Sequence, residues 1–121
     1  MHPLRILVIE DSPDVGDQLA ILLRHRGNEV RLERTGEAGV TAVGEFKPEA
    51  VLLDIGLPDL DGHDVATRIR SVAGFEHVTI IGLSGYDATE KERAADSGFD
   101  EFLTKPVLPS AIEAALAKRS G

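Results

Sequence analysis

Residues 50–62 read AVLLDIGLPDLDG. The first part, Ala50 to Leu53, is an unbroken apolar run rather than an alternation, the pattern of a strand covered on both faces. The run stops at Asp54. Beyond it Gly56, Pro58, Asp59, Asp61 and Gly62 compose a turn-rich loop. Val65, Ile69 and Val72 then recur at helical spacing, with Asp61 as the expected N-cap and Asp59 and Asp64 charging the same helix start. A doubly buried strand, a loop and an amphipathic helix make one unit of a parallel α/β sheet.

Working outward, the same unit recurs. Arg5 to Ile9 is again continuous and apolar, so it belongs near the sheet centre. Ser12, Pro13 and Asp14 supply an N-cap, a first-turn proline and an acid at the positive helix end, before a stripe at Val15, Leu19, Leu22 and Leu23 that Gly27 ends. Glu29 to Leu32 is more polar and reads as an edge strand, with a helix from about Gly36 to Phe46 closed by Pro48. Downstream, Thr79 to Leu83 leads into Ser84, and Glu101 to Thr104 leads into Lys105 and Pro106, before a last helix with Ile112, Ala115 and Leu116 facing inward. Ala88 to Ser97 has helical composition but offers a core only Ala88, Ala94 and Ala95, so this segment should dock weakly. The alternation predicts an α/β fold around a parallel sheet, in one domain spanning residues 1–121.

Composition narrows the function. The 121 residues hold no cysteine, which excludes disulfides, thiolate metal sites and thiol nucleophiles and suits a reducing compartment. Thirteen Lys and Arg against twenty-one Asp and Glu give a net charge of -8, so direct binding to nucleic acid or anionic lipid is not expected. With neither a signal peptide nor a membrane-spanning run in the sequence, the expected location is the cytoplasm. His2, His25, His63 and His77 share no ligand spacing and read as solvent-exposed.

The chemistry-bearing residues follow strands: Glu10 and Asp11 the first, Asp54 the third, Ser84 the fourth, Lys105 the fifth. In an open parallel sheet, ligands bind outside the carboxyl ends of the strands, so residues distant in sequence converge there. Each alone has an ordinary explanation as a cap, turn or surface residue; their joint placement is what points to a site. Three carboxylates in one crevice repel one another unless a cation lies among them, and oxygen donors without His or Cys favour Mg²⁺. Asp54 is then a candidate nucleophile toward phosphorus, with Lys105 and the Ser84 hydroxyl available to the oxygens of a transferred phosphoryl group.

The segments RILVIEDSPDVGDQLAILL, VLLDIGLPDLDG, IIGLSGY and GFDEFLTKP, in this order and spacing, resemble the receiver domain of two-component response regulators. The resemblance implies a doubly wound, flavodoxin-like three-layer sandwich with strand order 2-1-3-4-5. It implies phosphorylation of Asp54 by a histidine kinase or histidine phosphotransfer protein, with the output a protein interaction whose target is unknown. Asp11 and Asp54 would ligate Mg²⁺ directly, Glu10 largely through water, and the Gly56 carbonyl would complete the protein ligands. The phosphoryl oxygens would meet Lys105, Ser84 and the amides of Ile55, Gly56 and Gly85. Ser84 and Phe102 would form the switch, the bond before Pro106 would be cis, and Gly56 and Tyr86 would tune the phosphoryl lifetime. LSGY and KPV resemble receivers of hybrid sensor kinases more than those of transcription factors.

Two other classes compete. A phosphatase of the haloacid dehalogenase kind also uses an aspartate after a parallel strand, but needs a second acid two residues on, where this chain has Gly56. The chain should therefore not be a conventional enzyme, although it would catalyse its own phosphorylation and dephosphorylation. A receiver reduced to a binding module would have lost site residues, and none is missing here.

Overall fold

The computed structural model describes residues 3–85 and 98–118. The expectations for Tyr86 and for the segment 88–97 lie outside the described residues. Among those described, five strands and four helices follow in the order β1 (Arg5–Ile9), α1 (Pro13–His25), β2 (Glu29–Glu33), α2 (Gly36–Phe46), β3 (Ala50–Asp54), α3 (Gly62–Arg70), β4 (Thr79–Ser84), β5 (Glu101–Thr104) and α4 (Pro109–Lys118). All strand pairs are parallel, as the apolar runs predicted, and the sheet order is β2-β1-β3-β4-β5, as the family resemblance implied. No helix among the described residues is long and apolar enough to cross a membrane.

The continuous apolar runs have a direct structural reason. Successive strand residues point to opposite faces, and here both faces are covered. Ile6, Val8, Leu52, Ile81 and Leu83 pack with Leu19 and Leu23 of α1 and Ile112 and Leu116 of α4. Leu7, Ile9, Val51, Leu53 and Ile80 pack with Val43 of α2 and Val65 and Ile69 of α3. The result is a three-layer sandwich with a core on each side of the sheet. The β2 strand, at the edge, has one exposed residue, Glu29, and four partly buried ones, with none fully buried, in keeping with its polar sequence.

Local signals explain most helix ends. Ser12 caps α1, its hydroxyl accepting from the Val15 amide, and Pro13 starts the helix. At the other end Gly27 takes a positive φ of 94° while its amide bonds the Arg24 carbonyl and the Asn28 amide reaches the Leu23 carbonyl, a Schellman closure. Lys47, in the left-handed region at φ 55°, stops α2 one residue before Pro48.

Four expectations need correction. Leu22 does not join the core: it is 37% exposed, because α1 turns Gly16, Leu19, Ala20 and Leu23 to the sheet and Leu22 lies about 60° around the helix from Leu19, on the far side from Gly16. Val72 lies beyond the end of α3, although it still packs on the core. His63 is not a solvated histidine: its side chain is only 14% exposed and its ring meets Phe99 edge-on at 6.0 Å. Asp59 does not charge the start of its own helix; its carboxylate accepts the Gly36 and Glu37 amides at 2.8 and 3.1 Å, capping α2 from across the fold. Asp61 does cap α3, accepting from the His63 amide at 2.8 Å.

Candidate functional site

The sheet order places β1 and β3 side by side, with β4 and β5 following, so the residues after their carboxyl ends face one crevice. Ligand oxygens of Glu10, Asp11 and Asp54 lie within 4.8 Å of one another. Lys105 enters from β5: its Nζ lies 2.9 Å from Glu10 Oε1 and 3.2 Å from Asp54 Oδ1. The Lys105–Pro106 peptide bond is cis, as the family resemblance implied. Backbone bonds hold the strand ends in register, the Ile55 amide to the Leu83 carbonyl and the Lys105 amide to the Ser84 carbonyl.

The three acids occupy different environments. Glu10 is fully buried, with Oε2 accepting the Ser12 amide at 3.1 Å. Burial, reinforced by Asp54 beside it, pushes its carboxyl up to about 7 against the opposing pull of Lys105 and the Ser12 amide. Burial would raise Asp54 as well, but hydrogen bonding from Glu10, the Gly56 amide on Oδ1 at 3.0 Å and the Lys105 charge outweigh it and hold Asp54 below the usual range. Burial alone would lower Lys105; its bond to Glu10 and the charges of Asp54 and Glu10 reverse that and keep the ammonium protonated. Asp11 is the most solvent-accessible of the three acids.

This donor set fits a hard divalent cation. With all three carboxylates ionised, Lys105 neutralises only one charge; a proton on the buried Glu10 relieves a second, and one negative charge still remains. An oxygen-only cluster matches Mg²⁺ better than a soft metal.

Ser84 is 1% exposed, and its Oγ finds no hydrogen-bond partner among the described residues. A buried hydroxyl without a partner is costly, so an acceptor brought to the crevice would stabilise it. Phe102 is half-buried and packs on Phe99 with ring centroids 4.7 Å apart. Its ring lies over Gly82, where an added Cβ would meet it at 2.6 Å. The sequence alone did not reveal this aromatic pair or the edge-on His63: His63 lies on α3, far along the chain from Phe99, which precedes β5, and Phe102 within it.

The loop after Asp54 is fixed by a close approach. The Gly62 amide bonds the Ile55 carbonyl at 3.2 Å, and a Cβ on Gly62 would sit 2.7 Å from Ile55 Cα. Backbone cannot give way as a flexible side chain can, so Gly62→Ala should cost about 1–3 kcal/mol. Urea unfolding checks this; an unchanged midpoint would show that the loop relaxes freely.

Residues 6–117 match the response regulator receiver domain, and the chain belongs to that family. The transcriptional regulatory protein KdpE of Mycobacterium tuberculosis is 39% identical over 102 residues, which are 84% of this chain and 44% of that protein. The DNA-binding response regulator MtrA of Mycolicibacterium smegmatis is 33% identical over 115 residues, 95% of this chain and 50% of that protein. The chain thus spans about half the length of the curated relatives it matches. Among solved structures, the receiver domain of a sensor histidine kinase of Pseudomonas aeruginosa, with a magnesium ion coordinated in its active-site cleft, superposes with a TM-score of 0.90 at 26% identity, covering 98% of this chain and 99% of that one. The matches therefore include relatives from transcriptional regulators and from a sensor kinase alike.

Proposed function

We propose that residues 1–121 form one phosphoacceptor domain in which Asp54 takes a phosphoryl group from the phosphohistidine of a histidine kinase or histidine phosphotransfer protein. Glu10, Asp11, Asp54 and the Gly56 carbonyl would hold Mg²⁺, and phosphorylation would switch a protein-interaction surface. The observation that carries this is the convergence of three carboxylates and Lys105 at the ends of three strands. A cytoplasmic location fits such a donor.

In the transfer, an Asp54 oxygen forms a bond to phosphorus as the bond from phosphorus to the donor's imidazole nitrogen breaks. That bond's electron pair returns to the imidazole, which takes up a proton. Lys105 stays charged and donates to a phosphoryl oxygen, while Ser84 offers its unpartnered hydroxyl and Gly56 and Gly85 their amides; the Ile55 amide, which the family resemblance also implied, is engaged by the Leu83 carbonyl. Mg²⁺, when bound, supplies positive charge to the oxygens of the transferred group. Gly56 leaves the approach to Asp54 open on its side, since among the described residues an added Cβ there would meet only Asp54 Oδ1, at 3.9 Å. It also offers no second acid, so turnover of external phosphate esters is not part of this function. The net charge of -8 argues against direct nucleic-acid contact by this domain.

Incubation with acetyl phosphate and Mg²⁺ should yield a single phosphoryl adduct by intact mass, lost in excess EDTA; an adduct undiminished by EDTA would overturn the metal dependence. Mg²⁺ should also raise the melting temperature by mass action, worth about 2.7 kcal/mol at a hundredfold excess over Kd. Asp11→Asn should nearly remove that rise, and equal rises in both proteins would exclude Asp11 as a ligand.

A further inference from the structure

We propose that Asp59 is a positioning residue for this site: by binding the first turn of α2, it anchors the β3–α3 loop that presents Gly56 beside Asp54. The inference rests on the phosphoacceptor reading above. Two independent observations support it. Asp59 Oδ1 accepts the Gly36 amide at 2.8 Å and Oδ2 the Glu37 amide at 3.1 Å, so one carboxylate spans two backbone donors. Beside this contact, Gly36 comes so close to the loop that an added Cβ would lie 3.0 Å from Leu60 Cβ and 2.8 Å from Val65 Cγ2. The loop is therefore seated on α2 by a charge-assisted bond and by packing at adjacent residues.

The first turn of α2 does not need Asp59 for all of its capping. Thr35 is its N-cap and already accepts the Ala38 amide at 3.2 Å. What Asp59 adds is a connection between elements, because it lies five residues beyond Asp54 and three beyond Gly56 on the chain that must present the Gly56 carbonyl and amide. At the other end of this loop, Gly62 is tied to Ile55. Between those ends, Asp59 bonds the loop to α2, with Leu57 and Leu60 packed on the core on either side of it. Releasing the carboxylate should loosen Gly56 without touching any side chain in the crevice.

Three variants separate positioning from capping: Asp59→Ala removes both bonds, Asp59→Asn keeps one acceptor oxygen, and Thr35→Ala weakens the same helix end without touching the loop. In metal-free protein, amide exchange at Gly56 and Leu57 should quicken in Asp59→Ala, change less in Asp59→Asn, and stay at the wild-type rate in Thr35→Ala. Calorimetric Mg²⁺ titration should show Kd raised about three- to tenfold in Asp59→Ala, partly restored in Asp59→Asn, and unchanged in Thr35→Ala. If Asp59→Ala lowers the melting temperature as Thr35→Ala does while loop exchange and Kd stay at wild-type values, Asp59 is only a cap and the proposal fails. Should wild type bind no Mg²⁺, the metal-site reading fails by itself, and the exchange measurement on metal-free protein still decides the anchor.

Discussion

Asp54→Asn should acquire no phosphoryl adduct: after incubation with acetyl phosphate and Mg²⁺, its intact mass is expected to stay that of the unmodified chain. Asparagine has nearly the same shape, and its carbonyl oxygen can still accept the Gly56 amide that now bonds Asp54 Oδ1. The fold and loop therefore remain, with Lys105 retaining Glu10 at 2.9 Å. What disappears is the anionic oxygen that forms the new bond, since an amide is a very weak nucleophile toward phosphorus. A rate loss of at least about a thousandfold, or roughly 4 kcal/mol of barrier, is expected. Asp59→Asn, altered just outside the crevice, should still be labelled. An adduct forming on Asp54→Asn at the wild-type rate would place the acceptor elsewhere.

The affinity for Mg²⁺ should fall as pH drops below about 7. Glu10 titrates near 7 in the metal-free folded chain, against an ordinary value of 4.5, chiefly because it is buried. Between those values the folded chain holds a proton that the unfolded chain has released. This group's contribution to stability is therefore greatest at low pH and declines as pH rises toward 7. Asp54 works in the opposite sense: its folded value lies below the ordinary 3.8, so its contribution is present above that value and is lost in stronger acid. The window from about 4.5 to 7 thus belongs to Glu10. A cation at the cluster favours the ionised carboxylate and expels its proton, so below pH 7 the apparent affinity should weaken roughly tenfold per pH unit, with little change above. Calorimetric titrations at pH 5.5 and 8 test this directly. Glu10→Gln should flatten the profile, and a wild-type Kd equal at both pH values would show that no proton is exchanged.

Most of the fold was legible because both faces of the sheet are covered. Unbroken runs such as Ile6–Ile9 and Val51–Leu53 have no other economical explanation, and each ended where the structure ends the strand or one residue earlier. The site was legible for a related reason: strand ends in a parallel sheet share one edge, so Glu10, Asp11, Asp54 and Lys105 could be grouped before any distance was known. Other features depend on neighbours that local sequence does not specify. Asp59 sits among loop acids and gives no sign that its partners are Gly36 and Glu37. Leu22 matched a helical stripe, but the small residues Gly16 and Ala20 turned the helix away from it. His63 showed no ligand spacing, and only the fold brings Phe99 over it. Glu10 looked like one acid of a pair, whereas its complete burial and its contact with Lys105 separate it electrostatically from Asp11.

The space that Gly82 leaves for the Phe102 ring makes these two positions a single evolutionary character. An added methyl at position 82 would fall 2.6 Å from that ring and 3.0 Å from Phe99. Enlarging residue 82 therefore calls for the aromatic on β5 to be reduced or redirected and for Phe99 to give way by a few tenths of an ångström. Among descendants of this chain, the order of substitution is constrained: a change at 102 opens the way for one at 82, while the reverse order passes through an overpacked ancestor.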